Sequence, residues 1–186
     1  MHKNLPDHFI FLDKYNSSIF KNNKTNIGII YRNYRSKKRV VELIKISNAC
    51  KKTKFKLYVS NSLKLALKVK ADGIYIPSFN KTQRFNNLEK KNLTIIGSAH
   101  SQKEIKEKIR QKCSAIFLAP IFFVKKRKKF LDIYKFNMLS RANNIKFFAL
   151  GGINKNKISE LKLLNIKGFG AISLFKKKPA FKRPVF

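Results

Sequence analysis

The stretch IKFFALGGI, Ile145–Ile153, decides the reading of this chain. It is a short apolar run, rich in Ile and Phe and stopped by two glycines, which is the pattern of a fully buried strand. A second such run, GFGAISLF, Gly168–Phe175, follows the helix-like stretch NKNKISELKLLN, Asn154–Asn165. Two buried parallel strands joined by one helix make a βα unit. The glycines fall where each strand ends and its loop begins. A residue without Cβ lets backbone N–H groups approach an anion there. In an α/β barrel the loops after the last two strands are the usual phosphate site. Glycine spacing alone fits two ordinary tight turns as well.

Toward the N-terminus the same alternation recurs. Phe9–Leu12, Ile27–Tyr31, Phe55–Val59, Gly73–Ile76, Leu93–Ile96 and Ser114–Leu118 read as strands. Tyr15–Asn26 reads as a short helix or a loop. Ser36 is placed to cap a helix running through Val40, Val41, Leu43, Ile44 and Ile46, and Ser101 to cap a charged helix that ends at Lys112. Leu63–Val69 and Tyr134–Ala142 read as further helices. About eight βα units result, the number that closes a barrel. The rival, an open doubly wound sheet, normally carries G-x-G-x-x-G after its first strand, and that motif does not occur here. The expected fold is therefore α/β, a single-domain (β/α)8 TIM barrel over residues 1–175 with a truncated last helix. The basic tail 176–186, KKKPAFKRPVF, reads as an exposed or loosely docked end.

The chain has 186 residues, 44% of them hydrophobic, enough for one domain with a substantial core. Its 43 Lys and Arg against 9 Asp and Glu give a net charge of +34, which invites a nucleic-acid reading. Most of that charge is Lys, spread along the chain with much Asn, Ile and Phe. This is the composition of AT-rich codons and lacks the Arg that favours bidentate base contacts. Nucleic acid therefore ranks last among the expected partners. Cys50 and Cys113 stand far apart, with neither metal nor disulfide spacing. No apolar stretch has the length of a membrane span, and the N-terminus does not read as a secretory signal. A cytoplasmic protein with no membrane partner is the expectation.

The strand ends carry Asp13; Arg32, Asn33 and Tyr34; Ser60 and Asn61; Ser78 and Asn80; Ser98 and His100; Pro120 with Lys125, Lys126 and Arg127; Gly151 and Gly152; and Ser173. In a barrel these ends form the working face. The set is polar, basic and rich in amides, which suits an anionic, phosphate-bearing ligand. Asp13 is its single carboxylate, whereas a Mg²⁺ site normally needs one or two. No metal-ligating set is read from these residues. His100 fits a general base or phosphate donor, and equally a structural histidine bonded to a neighbouring loop. The run Lys125–Lys129 fits a lid over phosphate or a solvated loop.

IIGSAHS (Ile95–Ser101), IFLAPIF (Ile116–Phe122), FALGGI (Phe148–Ile153) and GFGAISLF (Gly168–Phe175) resemble the last four strands of the thiamine-phosphate synthase and thiazole tautomerase (TenI-like) family. LKLALKVKADGIYIP (Leu63–Pro77) and IIYRNYRS (Ile29–Ser36) resemble its fourth-strand and second-strand regions. The resemblance runs in order from about Phe9 to Phe175. It implies a (β/α)8 barrel of thiamine biosynthesis. The reaction it implies joins a pyrimidine diphosphate to a thiazole phosphate with release of pyrophosphate, using Mg²⁺. By the same resemblance Gly151, Gly152, Ile172 and Ser173 hold the phosphate of a thiazole phosphate or thiamine phosphate. Ser98 lies near the pyrimidine and pyrophosphate, and the family lysine falls among Lys125–Lys128, so Ser98, Lys126 and Arg127 are the candidate catalytic residues. Arg32, Asn33, Asn61, Asn80 and His100 are the candidate substrate-binding residues.

Departures from the family pattern are specific. Ile30 and Tyr34 stand where the family has Gln and Lys, and Ser60–Asn61 where it has Asn-Asp. Asn80 stands at the second acidic metal position, so the usual carboxylate ligands of Mg²⁺ are absent. Pro120 stands where the tautomerases have a histidine. Three readings follow: a transferase with an altered diphosphate site, a non-catalytic or regulatory barrel binding a thiazole or thiamine phosphate, and, last, a nucleic-acid-binding protein.

Overall fold

The computed structural model describes residues 4–23, 26–34, 36–85, 88, 92–125, 129–171 and 174–175. Eight parallel strands close into a barrel in chain order: β1 (His8–Leu12), β2 (Ile27–Tyr31), β3 (Lys56–Ser60), β4 (Gly73–Ile76), β5 (Thr94–Ala99), β6 (Ala115–Leu118), β7 (Lys146–Leu150) and β8 (Gly168–Ala171). Around it stand α1 (Ser17–Asn22), α2 (Arg39–Thr53), α3 (Leu63–Lys68), α4 (Gln102–Arg110) and α5 (Asp132–Arg141). Among the described residues no helix is long and apolar enough to cross a membrane.

The strands are apolar on both faces because both faces are covered. Their outward residues, among them Ile10, Ile29, Leu57, Ile74, Ile95 and Ile116, pack in the layer that includes Leu43, Ile46 and Ile105 of the helices. The inward residues Phe9, Phe11, Ile30, Tyr58, Tyr75, Ile96, Phe117 and Phe148 fill the barrel, with Leu5 joining them. Phe117 meets the Phe9 ring edge-on at 5.1 Å and the Phe11 ring at 5.4 Å. Rings this large leave little room for side chains across the barrel. Gly28 faces the Phe9 ring, and a Cβ on Gly170 would stand 3.0 Å from both Phe11 and Phe117. The interior is thus an aromatic core fitted against glycines.

The barrel closes where β8 pairs with β1, Phe9 opposite Gly170 and Ile10 opposite Ala171. Phe169 N–H donates to the Asp7 carbonyl at 3.0 Å. Side-chain caps start three helices: Asn16 for α1, Ser62 for α3 and Ser101 for α4.

Three local expectations are corrected. Asn154–Asn165 is not one α-helix but two 3-10 turns, Lys155–Lys157 and Ser159–Leu163. The apolar residues Ile158, Leu161 and Leu164 recur every third position and pack on the core, which is the period of a 3-10 helix. Ser36 does not cap α2: its Oγ accepts from Lys38 N–H at 3.1 Å in a preceding turn, and the helix starts after Lys38 without a side-chain cap. β5 does not stop at Ile96. Gly97, Ser98 and Ala99 pair with Ile116, Phe117 and Leu118, so Ser98 belongs to the strand. The expected truncated last helix and the tail 176–186 lie outside the described residues.

Candidate functional site at the barrel mouth

Successive residues of a strand point to opposite faces. The period of two therefore sets Asp13, Arg32, Ser60, Ser98 and Leu150 next above the inward residues Phe11, Ile30, Tyr58, Ile96 and Phe148. Arg32 is anchored by its N–H to Leu12 O at 2.7 Å, and its guanidinium lies 5.4 Å from the Phe11 ring centre. Ser98 is buried and shares a hydrogen bond with the Tyr75 hydroxyl. Burial pushes the Tyr75 phenol up to about 12, against the Ser98 hydrogen bond and the Arg32 charge, which act downward. The phenol therefore stays protonated and neutral at ordinary pH.

Beside this floor the Tyr34 hydroxyl and Ser60 Oγ lie 2.6 Å apart, and Arg39 Nη2 donates to Ser60 O at 2.9 Å. Burial raises the Tyr34 pKa, with the Ser60 hydrogen bond, Arg32 and Arg39 acting the other way. The Tyr34 ring meets Phe79 edge-on at 5.9 Å, and Phe79 is 66% exposed. Two aromatic rings thus stand at the rim between the loops after β2 and β4. Asn33 occupies its amide locally: Nδ2 donates to Asp13 O at 3.0 Å, and Oδ1 accepts from Ser36 N–H at 3.1 Å.

Asn61 and Asn80 are brought together. Asn80 Nδ2 donates to Asn61 Oδ1. Asn80 Oδ1 accepts from Thr82 N–H at 2.8 Å and from Thr82 Oγ1 at 3.0 Å. A backbone N–H only donates, so this contact fixes which end of the Asn80 amide is oxygen. Asn61 holds a left-handed backbone with φ 57°, and its N–H donates to Tyr75 O at 2.9 Å. Both amide oxygens are occupied by protein donors. Neither carries the charge that holds a hard divalent cation. The residues present do not fit the Mg²⁺ site that the family resemblance implies. Replacing both by aspartate is expected to raise Mg²⁺ affinity at least tenfold in calorimetric titration. Mg²⁺ binding of equal strength by the unmodified protein would show that the amides already suffice.

His100 follows β5. Its N–H donates to Glu104 Oε2 at 2.6 Å, and its Nδ1 lies 2.5 Å from Ala119 O. A carbonyl only accepts, so Nδ1 carries a proton and ties the loop after β5 to that after β6.

At the end of β7, Gly151 and Gly152 have φ 94° and 74°, values that L side chains rarely adopt. The space a side chain would need is filled. A Cβ on Gly151 would stand 2.7 Å from Pro120 Cβ, and one on Gly152 2.7 Å from both Cβ and O of Phe122. Ile121 N–H donates to Leu150 O at 3.0 Å and Phe122 N–H to Gly151 O at 3.2 Å, so the loop after β6 is bonded along this turn. The glycines thus serve close packing of two loops as well as the exposure of backbone. Among the described residues, the Gly152 N–H has no backbone acceptor. Lys126, Arg127, Ile172 and Ser173 lie outside the described residues.

Tyr34, Ser60 and Tyr75 complete the polar mouth. Tyr34 and Ser60 were legible as strand-end residues. Tyr75 was not, because its hydroxyl meets Ser98 only once β4 is paired with β5. Lys108 and Gln111, buried behind the loop after β4, carried no sequence signal at all.

Comparison with known proteins agrees with this geometry. The family described as "Thiamine monophosphate synthase" matches residues 23–175. A thiamine-phosphate synthase of Prochlorococcus marinus subsp. pastoris is 34% identical over 149 residues, covering 77% of this chain and 42% of that protein. One from Hydrogenobaculum sp. is 21% identical over 152 residues, covering 80% of this chain and 71% of that protein. The chain spans 38–44% of the length of the three Prochlorococcus relatives. In fold it is similar to a thiamine phosphate pyrophosphorylase from Pyrococcus furiosus, with TM-score 0.73 and 18% identity, covering 95% of this chain and 90% of that one. With the match extending over nearly all of the barrel, this chain belongs to the thiamine monophosphate synthase family.

Proposed function

We propose that this barrel is a thiamine-phosphate-synthase-type transferase. It joins the carbon of a pyrimidine diphosphate to the nitrogen of a thiazole phosphate while the bond to the diphosphate breaks and pyrophosphate leaves. The observation that carries the reading is the composition of the mouth. Arg32, the Tyr34–Ser60 pair and Ser98 stand at the C-terminal ends of β2, β3 and β5, and the Gly151–Gly152 turn follows β7 at the same end of the barrel. Cations and neutral hydroxyls at one mouth stabilise negative charge as it grows on a leaving diphosphate. The Gly152 N–H, with no backbone acceptor among the described residues, would take a phosphate oxygen of the thiazole partner.

No step is assigned to a metal, since Asn61 and Asn80 do not offer a cation site. By sequence position, Lys126 and Arg127 would supply positive charge to the departing pyrophosphate. The closed Asn61–Asn80 amide pair favours a second reading, a barrel that binds thiazole phosphate or thiamine phosphate without turnover. Incubation with both substrates, with Mg²⁺ and with a chelator, separates the two. Thiamine phosphate formed in either condition supports the transferase. Calorimetric binding of thiamine phosphate without product formation supports the second reading. The absence of both overturns the phosphate site altogether.

A further inference from the structure

We propose that Lys108 is a positioning residue, whose buried ammonium holds the loop after β4 in the arrangement that sets the Asn80 amide against Asn61 at the barrel mouth. The inference deepens the proposed function and rests on reading that mouth as the pyrimidine diphosphate site.

The helix α4, QKEIKEKIR, turns Lys103, Lys106 and Arg110 to solvent. Lys108 is different: it is 0% exposed, while the next residue, Ile109, is 40% exposed. The helix therefore sends a lysine inward and leaves an isoleucine out. Lys108 Nζ donates to Pro77 O at 2.9 Å, Asn80 O at 2.7 Å and Gln111 Oε1 at 2.8 Å, which uses all three of its protons. Gln111, also 0% exposed, donates through Nε2 to Asn80 O at 3.0 Å and Thr82 O at 2.9 Å. Two side chains thus grip three carbonyls of one short loop. A Cβ on Gly97 would stand 2.8 Å from Lys108 Cδ, so the strand leaves room for the stem.

Burying an ammonium is costly unless every donor is satisfied. Burial lowers the Lys108 pKa, and Glu107 and Glu104 act the other way. A core filler at this position would need only methylenes. What the ammonium adds is a set of donors aimed at loop carbonyls that, among the described residues, accept no backbone N–H from a strand. Asn80 is the point of transmission. Its carbonyl is held from behind by Lys108 and Gln111, and its side-chain amide faces forward onto Asn61.

The test uses Lys108→Met and the double variant Lys108→Met with Gln111→Leu. The double variant replaces both polar partners by apolar groups of similar size, which keeps the core filled. Hydrogen exchange of the Asn80 amide, bonded to Pro77 O at 3.0 Å, is followed in ligand-free protein beside that of Ile96 in β5. The expected result is exchange at least tenfold faster at Asn80 with Ile96 unchanged. Affinity for the pyrimidine diphosphate is expected to fall at least tenfold, and that for thiazole phosphate to stay the same. Unchanged exchange at Asn80 in the folded double variant overturns the inference, as does equal acceleration at Ile96, which marks general core support. Faster exchange at Asn80 with both affinities intact also overturns it. Should the unmodified protein not bind the pyrimidine diphosphate, the functional reading fails, and the exchange measurement still decides whether Lys108 holds the loop.

Discussion

Valine at position 152 is expected to weaken thiamine phosphate binding about 100-fold, as the loss of two charge-assisted hydrogen bonds to a phosphate would. Two effects act together. Gly152 has φ 74°, which a β-branched residue resists at a cost of about 1–3 kcal/mol. Its Cβ would also press on Phe122 Cβ and O at 2.7 Å, and both belong to the loop bonded along the turn. The turn must shift, and its N–H groups leave the position that suits a phosphate oxygen. The packing against Phe122 adds a stability loss of about 3 kcal/mol, still within the margin of a domain this size. Calorimetric titration of thiamine phosphate into both proteins, with thiamine as control, reads the first effect, and denaturant unfolding reads the second. Equal affinity of the unmodified protein for the phosphorylated and unphosphorylated compounds would remove the phosphate site from this turn.

The other large effect is expected at Gly168. An alanine there would drive its methyl into the Asp7 carbonyl oxygen, the acceptor of the Phe169 N–H. The obstacle is backbone, so no side chain can swing away. The first residue of β8 must then part from the start of β1, at the seam that closes the barrel. A loss of about 3 kcal/mol or more is expected from overpacking of this kind. For a chain of this length that lowers the melting temperature by about 6–12 °C. Alanine at Gly170 meets rings rather than backbone, 3.0 Å from Phe11 and Phe117, and is expected to cost less. A Gly168→Ala protein that melts with the unmodified one would mean that the seam is not held as described.

These contrasts show where the sequence was legible. Strands buried on both faces announce themselves as short apolar runs, and Ile27–Tyr31 and Gly73–Ile76 have the bounds their composition suggests. Ser101 caps α4 through a contact three residues away, which local pattern captures. Asn154–Asn165 misled because apolar spacing of three and of three to four look alike over so short a span. Lys108 was invisible for another reason. In a helix crowded with lysines, nothing local separates the one that points inward, since its acceptors Pro77 and Asn80 lie 31 and 28 residues away. The Asn61–Asn80 pair was foreseeable as two strand-end amides near one mouth. That each oxygen would be occupied by a protein donor depended on the turn at Thr82.

Between β7 and β8 the barrel wall is covered by two 3-10 turns where an α-helix was expected. Hydrogen bonds of this type have poorer geometry than those of an α-helix, and segments with few buried contacts open at the lowest free energy. Leu161 and Leu164 are the side chains that seal this stretch. The Gly151–Gly152 turn is the doorstep of the same segment. An anion seated there would bind the closed form and not the opened one. At 100 times its dissociation constant it would add about 2.7 kcal/mol against opening. Occupancy would then act as a removable brace, slowing proteolytic cleavage within Asn154–Asn165 and lending this last unit the support that an outer helix gives its neighbours.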